Sequence, residues 1–222
     1  MREQKKGQAG EGLGFHLMQD GPERVGGVRR TLESRVQVEV DLKERDPDLK
    51  KKIETPFQFF NHMLETIAWR ACMNVRVRID IDGYHLAHVI CEDIGITVGQ
   101  VLLRLWENRK LEGVSGSGSA YSLIDEALTR CTISFEGRSS IHVERGHVII
   151  PESAEDLRSA DLMAFFEGFV QGNRSTLHLD ILKGVDPHHI WESAFRAFGE
   201  ALYMAFQPRP WRKGTTPGVK GI

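Results

Sequence analysis

The chain has 222 residues, of which 41% are hydrophobic and 27% are charged, and its formal net charge is −2. This balance is typical of a globular protein with a sizeable core, and it lacks the clustered basic excess of a nucleic-acid-binding protein. No apolar run approaches the roughly 20 residues that span a bilayer, and the N-terminal segment lacks the apolar stretch of a signal peptide. Three scattered cysteines do not indicate a disulfide framework. We therefore expect a cytoplasmic protein with neither nucleic-acid nor membrane partners.

The N-terminal half of the chain combines an irregular beginning with clear periodicity. Residues 1–27 are rich in Gly, Glu, Lys and Gln without apolar periodicity, which predicts a flexible tail. The first repeat, residues 28–112, alternates between apolar patterns of period 2 and of period 3.6. These patterns predict a strand at 36–40, a helix at 60–67, a strand at 75–81 and a helix at 94–105.

The C-terminal half repeats this order. A Gly/Ser-rich run at 113–119 predicts a flexible connection, and residues 120–222 form the second repeat. Its patterns predict a strand at 131–135, a helix at 162–169, a strand at 177–181 and a helix at 190–202. Two such repeats predict similar units that share one core, so residues 28–222 form a single domain. Because each strand has one polar face, we predict an α+β fold with a helical layer between two mainly antiparallel sheets.

A His-x-x-x-Glu unit lies at the same place in each repeat, at the start of the second helical pattern. These units are His88–Glu92 and His188–Glu192. Residues four apart share one face of a helix, so each unit presents an imidazole beside a carboxylate. This pair of ligands suits Mn²⁺, Zn²⁺ or Fe²⁺. One unit arises easily by chance, whereas two at equivalent positions predict metal binding.

Two further histidines are placed to join such a site. His62 lies off the apolar stripe of its predicted helix, and His178 lies on the polar face of its predicted strand. Either residue alone is more often a solvated histidine than a ligand. Their placement on elements next to the His-x-x-x-Glu units predicts that both contribute to metal binding.

The His188–His189 pair predicts an asymmetry between the repeats. Adjacent helical residues diverge by about 100°, so His189 points away from the metal that His188 and Glu192 hold. In a two-fold repeat, His189 would reach the metal held by the unit of the first repeat. The reciprocal position is occupied by Val89. We therefore expect one complete metal site and a twin that lacks one imidazole.

From about Arg29 to its C-terminus, the chain resembles the imidazoleglycerol-phosphate dehydratase family of histidine biosynthesis. The motifs that carry the resemblance are RRTLES, FFNHML, HVICEDIG, IDEALTRCTISFEGR, STLHL, DPHHIWESAFRAFGEAL and VKGI, in the family's order. The resemblance implies helices between two four-stranded sheets and a homo-oligomeric shell of 24 subunits. It also implies sites between subunits that hold two manganese ions and act on a small phosphorylated imidazole compound.

The resemblance also implies roles for individual residues. Glu33 in RRTLES matches a family position near the substrate and is the candidate for moving protons, beside the carboxylates of Glu92 and Glu192. The phosphate-side candidates are Arg130, Arg138 and Lys220. Arginine forks suit phosphate geometry. For Glu33 the alternative is a surface strand residue, and for the arginines it is a surface salt bridge.

Two functions follow as hypotheses. The first is metal-dependent removal of water from imidazoleglycerol phosphate to give imidazole acetol phosphate, with the metal acting as a Lewis acid on the substrate's imidazole. The alternative is a diverged homologue with an impaired second metal site that is non-catalytic or acts on another substrate.

Overall fold

The computed structural model describes residues 12–219. In chain order its strands and α-helices are β1 (Gly14–Gln19), β2 (Arg24–Arg30), β3 (Ser34–Asp41), β4 (Ile53–Glu54), α1 (Gln58–Ala71), β5 (Asn74–Ile81), α2 (Ala87–Lys110), β6 (Ser117–Ile124), β7 (Ala127–Ser134), β8 (Ser140–Glu144), β9 (Ser153–Ala154), β10 (Leu157–Arg158), α3 (Ser159–Asn173), β11 (Thr176–Lys183) and α4 (Pro187–Ala205). Short 3₁₀ turns occupy Leu49–Lys52 and Pro210–Arg212. Within these described residues, no helix is long and apolar enough to cross a membrane.

The strands form two main sheets and one small hairpin. The first sheet has the order β1-β2-β3-β5-β4, the second has the order β6-β7-β11-β8, and β9 pairs with β10. The β4–β5 and β8–β11 pairs are parallel, and all other pairs are antiparallel. The segment β2-β3-β5-β4 therefore has the same order and directions as β6-β7-β11-β8, which is the structural counterpart of the sequence repeat.

The four helices form the layer between the sheets, which confirms the predicted α+β class. Helix α2 packs on α3 and on strands β2 and β3, whereas α4 packs on α1 and on strands β6 and β7. The alternating valines of β3 and the inward residues of β7 are fully buried against this layer. Phenylalanines of α3 and α4 fill its centre with stacked and edge-on ring contacts. Burying each such ring stabilises the fold by roughly 1.5–3 kcal/mol.

Glycines let α2 and α3 approach until their backbones touch. A Cβ added at Gly95 would lie 2.2 Å from the Phe165 carbonyl oxygen, and one added at Gly172 would lie 2.1 Å from the Ile96 carbonyl oxygen. Neither contact is possible for a larger residue without a shift of the backbone. The helix that carries His88 and Glu92 is therefore fixed rigidly against its neighbour.

The prediction of a flexible tail over residues 1–27 is wrong for the part that the structure describes. Residues 12–27 include all of β1, which forms an antiparallel hairpin with β2. The ring of Phe15 covers Gly27, where an added Cβ would lie 2.4 Å from it, and Asp20 forms a 2.7 Å ion pair with Arg104 on α2. The paired glycines in β2 hid the strand pattern. Residues 1–11 lie outside the described part of the chain.

The predicted flexible connection at 113–119 is also wrong at its C-terminal end. Strand β6 begins at Ser117, and a Cβ at Gly118 would lie 2.0 Å from the carbonyl oxygen of Ala201 in α4. The glycine therefore permits a close approach between strand and helix, and it does not mark a flexible segment. The second repeat consequently begins a few residues earlier than expected.

Candidate metal centre

Three possible metal ligands converge where α1 crosses the start of α4. Glu192 Oε2 lies 3.3 Å from His62 Nε2 and 3.1 Å from His188 Nε2. His188 and Glu192 are four residues apart in α4, and the packing of α1 on α4 brings His62 to them. Among residues 12–219, this is the only group of three or more His, Cys, Asp or Glu side chains arranged to hold one metal ion.

Hydrogen bonds around the cluster orient its donor atoms. His188 Nδ1 lies 2.9 Å from Glu155 Oε1, and because a carboxylate oxygen only accepts, this contact orients the ring with Nε2 towards Glu192. Arg196 donates to Glu192 Oε1 from Nε at 2.9 Å and from Nη2 at 2.6 Å, so Oε2 is the oxygen that faces His62 and His188. Nε2 of His188 and Oε2 of Glu192 therefore face one another, 3.1 Å apart, at the point where a metal ion would be held. Imidazole and carboxylate donors held by second partners fit Mn²⁺, Zn²⁺ or Fe²⁺.

The Glu192 carboxyl is buried but remains ionised. Burial by itself raises its pKa, but the hydrogen bonds and charge of Arg196, with a contribution from His62, bring the pKa below its ordinary value. At neutral pH the side chain is therefore a carboxylate, which is the form that binds a metal.

The β9–β10 hairpin fixes the two helices that form the cluster. Glu155 at its tip has a φ of 52°, in the left-handed region, and contacts His188. The next residue, Asp156, accepts hydrogen bonds at 2.7 Å and 3.2 Å from the backbone nitrogens of Gln58 and Phe59 at the start of α1. The negative charge of an aspartate at the N-terminus of α1 also interacts favourably with the helix dipole. One hairpin tip thus sets the positions of α1 and α4 relative to each other.

Replacing Glu155 by glutamine is expected to weaken metal binding by about 10–100-fold, because it removes the carboxylate that orients His188. Metal affinity can be measured by calorimetric titration of the chelator-treated protein. Glu152→Gln is the matched control, since Glu152 is an exposed glutamate in the same segment. Equal loss in both variants would mean that Glu155 acts only through general surface charge.

His189 points away from this cluster, as its offset from His188 along the helix predicts. Its Nδ1 lies 2.8 Å from Glu126 Oε2, in the turn between β6 and β7. This hydrogen bond raises the pKa of His189. Glu126 Oε1 also accepts from the backbone nitrogens of Val185 and Asp186 at 3.1 Å and 2.9 Å. These contacts, with His189, lower the pKa of Glu126 to about 2 and tie the turn to the start of α4.

The His88–Glu92 unit lies at the start of α2 with no hydrogen-bond or ion-pair partner among the described residues. We expected this unit and His189 to converge, joined by His62 or His178. Within one described chain they form no such group, and His62 instead joins the His188–Glu192 unit. Completing a site at His88 and Glu92 therefore requires groups from beyond residues 12–219 of one chain.

His178 and Arg130 lie together on the outer, polar face of the second sheet. The ring of His178 stacks on that of His142 with centroids 4.6 Å apart. Arg130 forms a 2.6 Å ion pair with Asp180 and directs Nη1 towards the hydroxyl of Tyr121. The polar face predicted for His178 is thus observed, and His142 is a neighbour that the sequence patterns did not single out.

The other expected substrate-side residues are dispersed in a single chain. Glu33 is exposed in the turn between β2 and β3, where its carbonyl oxygen accepts from Asp82 at 2.8 Å, close to the loop that leads into α2. Arg138 is exposed, with Nη2 3.6 Å from Glu136 Oε2. Lys220 lies outside the described residues.

Comparison with known proteins identifies the family to which this fold and this site belong. The fold and site define an α+β protein of two repeats with a candidate metal centre of imidazole and carboxylate ligands. The family model described as imidazoleglycerol-phosphate dehydratase matches residues 55–202. The chain belongs to this family.

Relatives match over nearly their whole length. An imidazoleglycerol-phosphate dehydratase of Thioalkalivibrio sulfidiphilus is 38% identical over 201 residues, which cover 90% of this chain and 98% of the relative. One of Methylococcus capsulatus is 37% identical, covering 87% and 95%. The crystal structure of the Pyrococcus furiosus IGPD in complex with (S)-C348 superposes with a TM-score of 0.71 at 28% identity, covering 88% of this chain and 99% of that one.

Proposed function

We propose that this chain is a metal-dependent hydro-lyase that converts imidazoleglycerol phosphate into imidazole acetol phosphate in histidine biosynthesis. The observation that carries the proposal is the convergence of His62, His188 and Glu192 in a chain whose relatives bear the dehydratase name. We propose manganese as the metal, with two sites per active centre as in the family and weakened binding at the site that Val89 deprives of an imidazole, and the cytoplasm as the location. All three cysteines are unpaired, which agrees with a reducing compartment.

The alternative of a diverged, non-catalytic homologue is less favoured. In such a protein, nothing would maintain the hydrogen bonds that orient the ligands. Here Glu155 orients His188, and Arg196 directs Glu192 Oε2 towards the imidazoles. Second partners of this kind support a centre that binds metal.

We propose that the remaining ligands are completed between copies of the chain. Among the described residues, His88, Glu92, His178 and His189 do not come together as a group of metal ligands, and His88 and Glu92 lack partners there. A homo-oligomeric shell, of 24 subunits as in the family, would bring these residues from different copies together. The position of His178 on an outer sheet face is suited to such a contact.

When bound, the metal supplies Lewis-acid activation and orientation of the substrate's imidazole ring. The protein's own groups do the rest. Glu33, an exposed carboxylate near the loop into α2, would move a proton between the substrate and solvent. Arg130 and Arg138, with Lys220, would bind the phosphate. Arg130 contacts Asp180 through Nε and Nη2, and Nη1 directs one hydrogen to the Tyr121 hydroxyl, so the second hydrogen of Nη1 would serve an anion.

The direct test is to incubate the Mn²⁺-loaded protein with imidazoleglycerol phosphate and follow the ketone product by NMR. We expect loss of one water per substrate at a rate below the ordinary enzyme range of roughly 1–10³ s⁻¹, because Val89 removes one imidazole from the second metal site. Protein that holds metal in the cluster yet forms no ketone would support the alternative of a non-catalytic homologue.

Replacing Val89 by histidine is expected to raise both the metal bound per subunit and the turnover of imidazoleglycerol phosphate. Val89 is only partly buried near the start of α2, so an imidazole can be accommodated there. Metal content and initial rates are measured together, with Val89→Gln as a polar control that lacks the ring. A variant that binds more metal without faster turnover would show that other changes limit the pocket. An unmodified protein that already binds two ions would show that Val89 costs no ligand.

A further inference from the structure

A cavity of about 440 Å³ opens at the end of α1 that is remote from the hairpin tip. Its walls are the loop after β3, the 3₁₀ turn Leu49–Lys52 and the last turn of α1. The apolar floor consists of Leu49, Ala68 and Met73, and Trp69 stands at the rim with 64% of its surface exposed. This volume lies within the roughly 300–1,000 Å³ that is typical of small-molecule sites.

The rim of the cavity carries cationic side chains that form no ion pair with a carboxylate of the described residues. Lys43, Arg45 and Lys50 line the cavity, and within residues 12–219 none of them forms an ion pair with a carboxylate. The guanidinium of Arg45 lies 5.4 Å from the centroid of the Trp69 ring. A cation beside an exposed aromatic ring offers both charge and a flat apolar surface.

The carboxylates at the cavity do not cancel this charge. Asp46 is already paired with Lys52 at 2.6 Å and with Arg76 at 2.8 Å. These contacts hold the pKa of Asp46 well below its ordinary value. Glu65 is then the one carboxylate left against three cations among the described residues that line the cavity. The cavity is therefore electropositive with an apolar floor.

We propose that this cavity binds a small aromatic anion, with its ring against Trp69 and Met73 and its acidic group among Lys43, Arg45 and Lys50. The site is distinct from the metal centre, because none of these residues belongs to the His62–His188–Glu192 cluster. The two are neighbours, since Lys50, Glu65 and Trp69 also line the depression that reaches His62 and Glu192. The inference does not depend on the proposed reaction.

The test uses 4-nitrophenyl phosphate as the probe and the fluorescence of Trp69 as the signal. Trp106 and Trp191 are buried and Trp211 is 91% exposed, so a Trp211→Phe background leaves Trp69 as the accessible tryptophan. We expect saturable quenching by the probe. Inorganic phosphate supplies only the anionic group of the probe, and 4-nitrobenzyl alcohol supplies only its aromatic ring. Each should therefore bind at least about tenfold more weakly than the probe when it competes with it.

Matched variants locate the probe. The Arg45→Gln, Lys50→Gln double variant should bind at least about tenfold more weakly, because two charge-assisted contacts are lost. Lys51→Gln should bind normally, since Lys51 is 80% exposed and paired with Asp48. Thermal melting checks that each variant is folded. Unchanged affinity in the double variant, or affinity lost instead in His188→Ala, would overturn the proposal.

Alkylation of Cys72 gives a second readout. Cys72 lines the cavity and is exposed, whereas Cys91 and Cys131 are buried. Saturating probe should slow its reaction with iodoacetamide, measured by mass spectrometry on the assembled protein. Full reactivity under conditions where quenching is saturated would place the probe elsewhere.

Discussion

Alanine at position 188 is expected to lower metal affinity and the turnover of imidazoleglycerol phosphate by more than about 100-fold. Loss of a residue that only orients a metal ligand lowers metal affinity or activity by up to about 100-fold, and loss of the ligand itself should lower them further. Glu192→Gln should behave similarly, because it keeps the side-chain shape but removes the negative charge that faces His62 and His188. Metal content and initial rates measured on the same preparations provide the check.

The matched control is His147→Ala, which removes an exposed imidazole that lies outside the cluster. It should leave both quantities unchanged. Normal turnover and normal metal content in His188→Ala would place the reaction at another site, and the proposed role of the cluster would be wrong.

Removal of metal is expected to break the homo-oligomer into smaller particles. Ligands that come from different copies couple metal binding to association, so each equilibrium shifts the other. The unpartnered His88–Glu92 unit and the outward-facing His178 are the residues expected to bridge copies. Light scattering before and after chelation measures the change, and re-addition of Mn²⁺ should restore the original size.

The control for this experiment is the same chelator saturated with metal beforehand, which should leave the particle intact. A particle of unchanged size after its metal is demonstrably removed would show that the metal sites do not bridge subunits.

The sequence predicted those parts of the fold in which local periodicity and burial agree. Alternating residues were sufficient to predict strands β3 and β7, and apolar stripes were sufficient to predict helices α1 to α4. Each of these patterns repeats over several residue pairs or helical turns. Strands β2 and β6 were missed because the glycines at their close contacts, Gly27 and Gly118, resemble the composition of a loop. A glycine in a sequence can indicate either a flexible loop or a close approach between packed elements, and only the tertiary structure distinguishes the two.

The candidate site was predictable in its ligands but not in their grouping. The spacing of His188 and Glu192 shows that they share a helix face, but it does not say which other helix supplies His62. That choice follows from the packing of α1 on α4, a contact between distant parts of the chain. Glu155 and Asp156 were missed because their partners are 33 and about 97 positions away. Arg196 alone had a local signal, its i,i+4 spacing from Glu192.

The most direct test of the central claim is an anomalous diffraction map of crystals grown with Mn²⁺. A strong peak is expected about 2 Å from His62 Nε2, His188 Nε2 and Glu192 Oε2, because ligand atoms of these residues already converge within 4.8 Å of one another. Manganese-loaded, active crystals in which the peak lies elsewhere, with this cluster empty, would contradict the assignment of the metal centre.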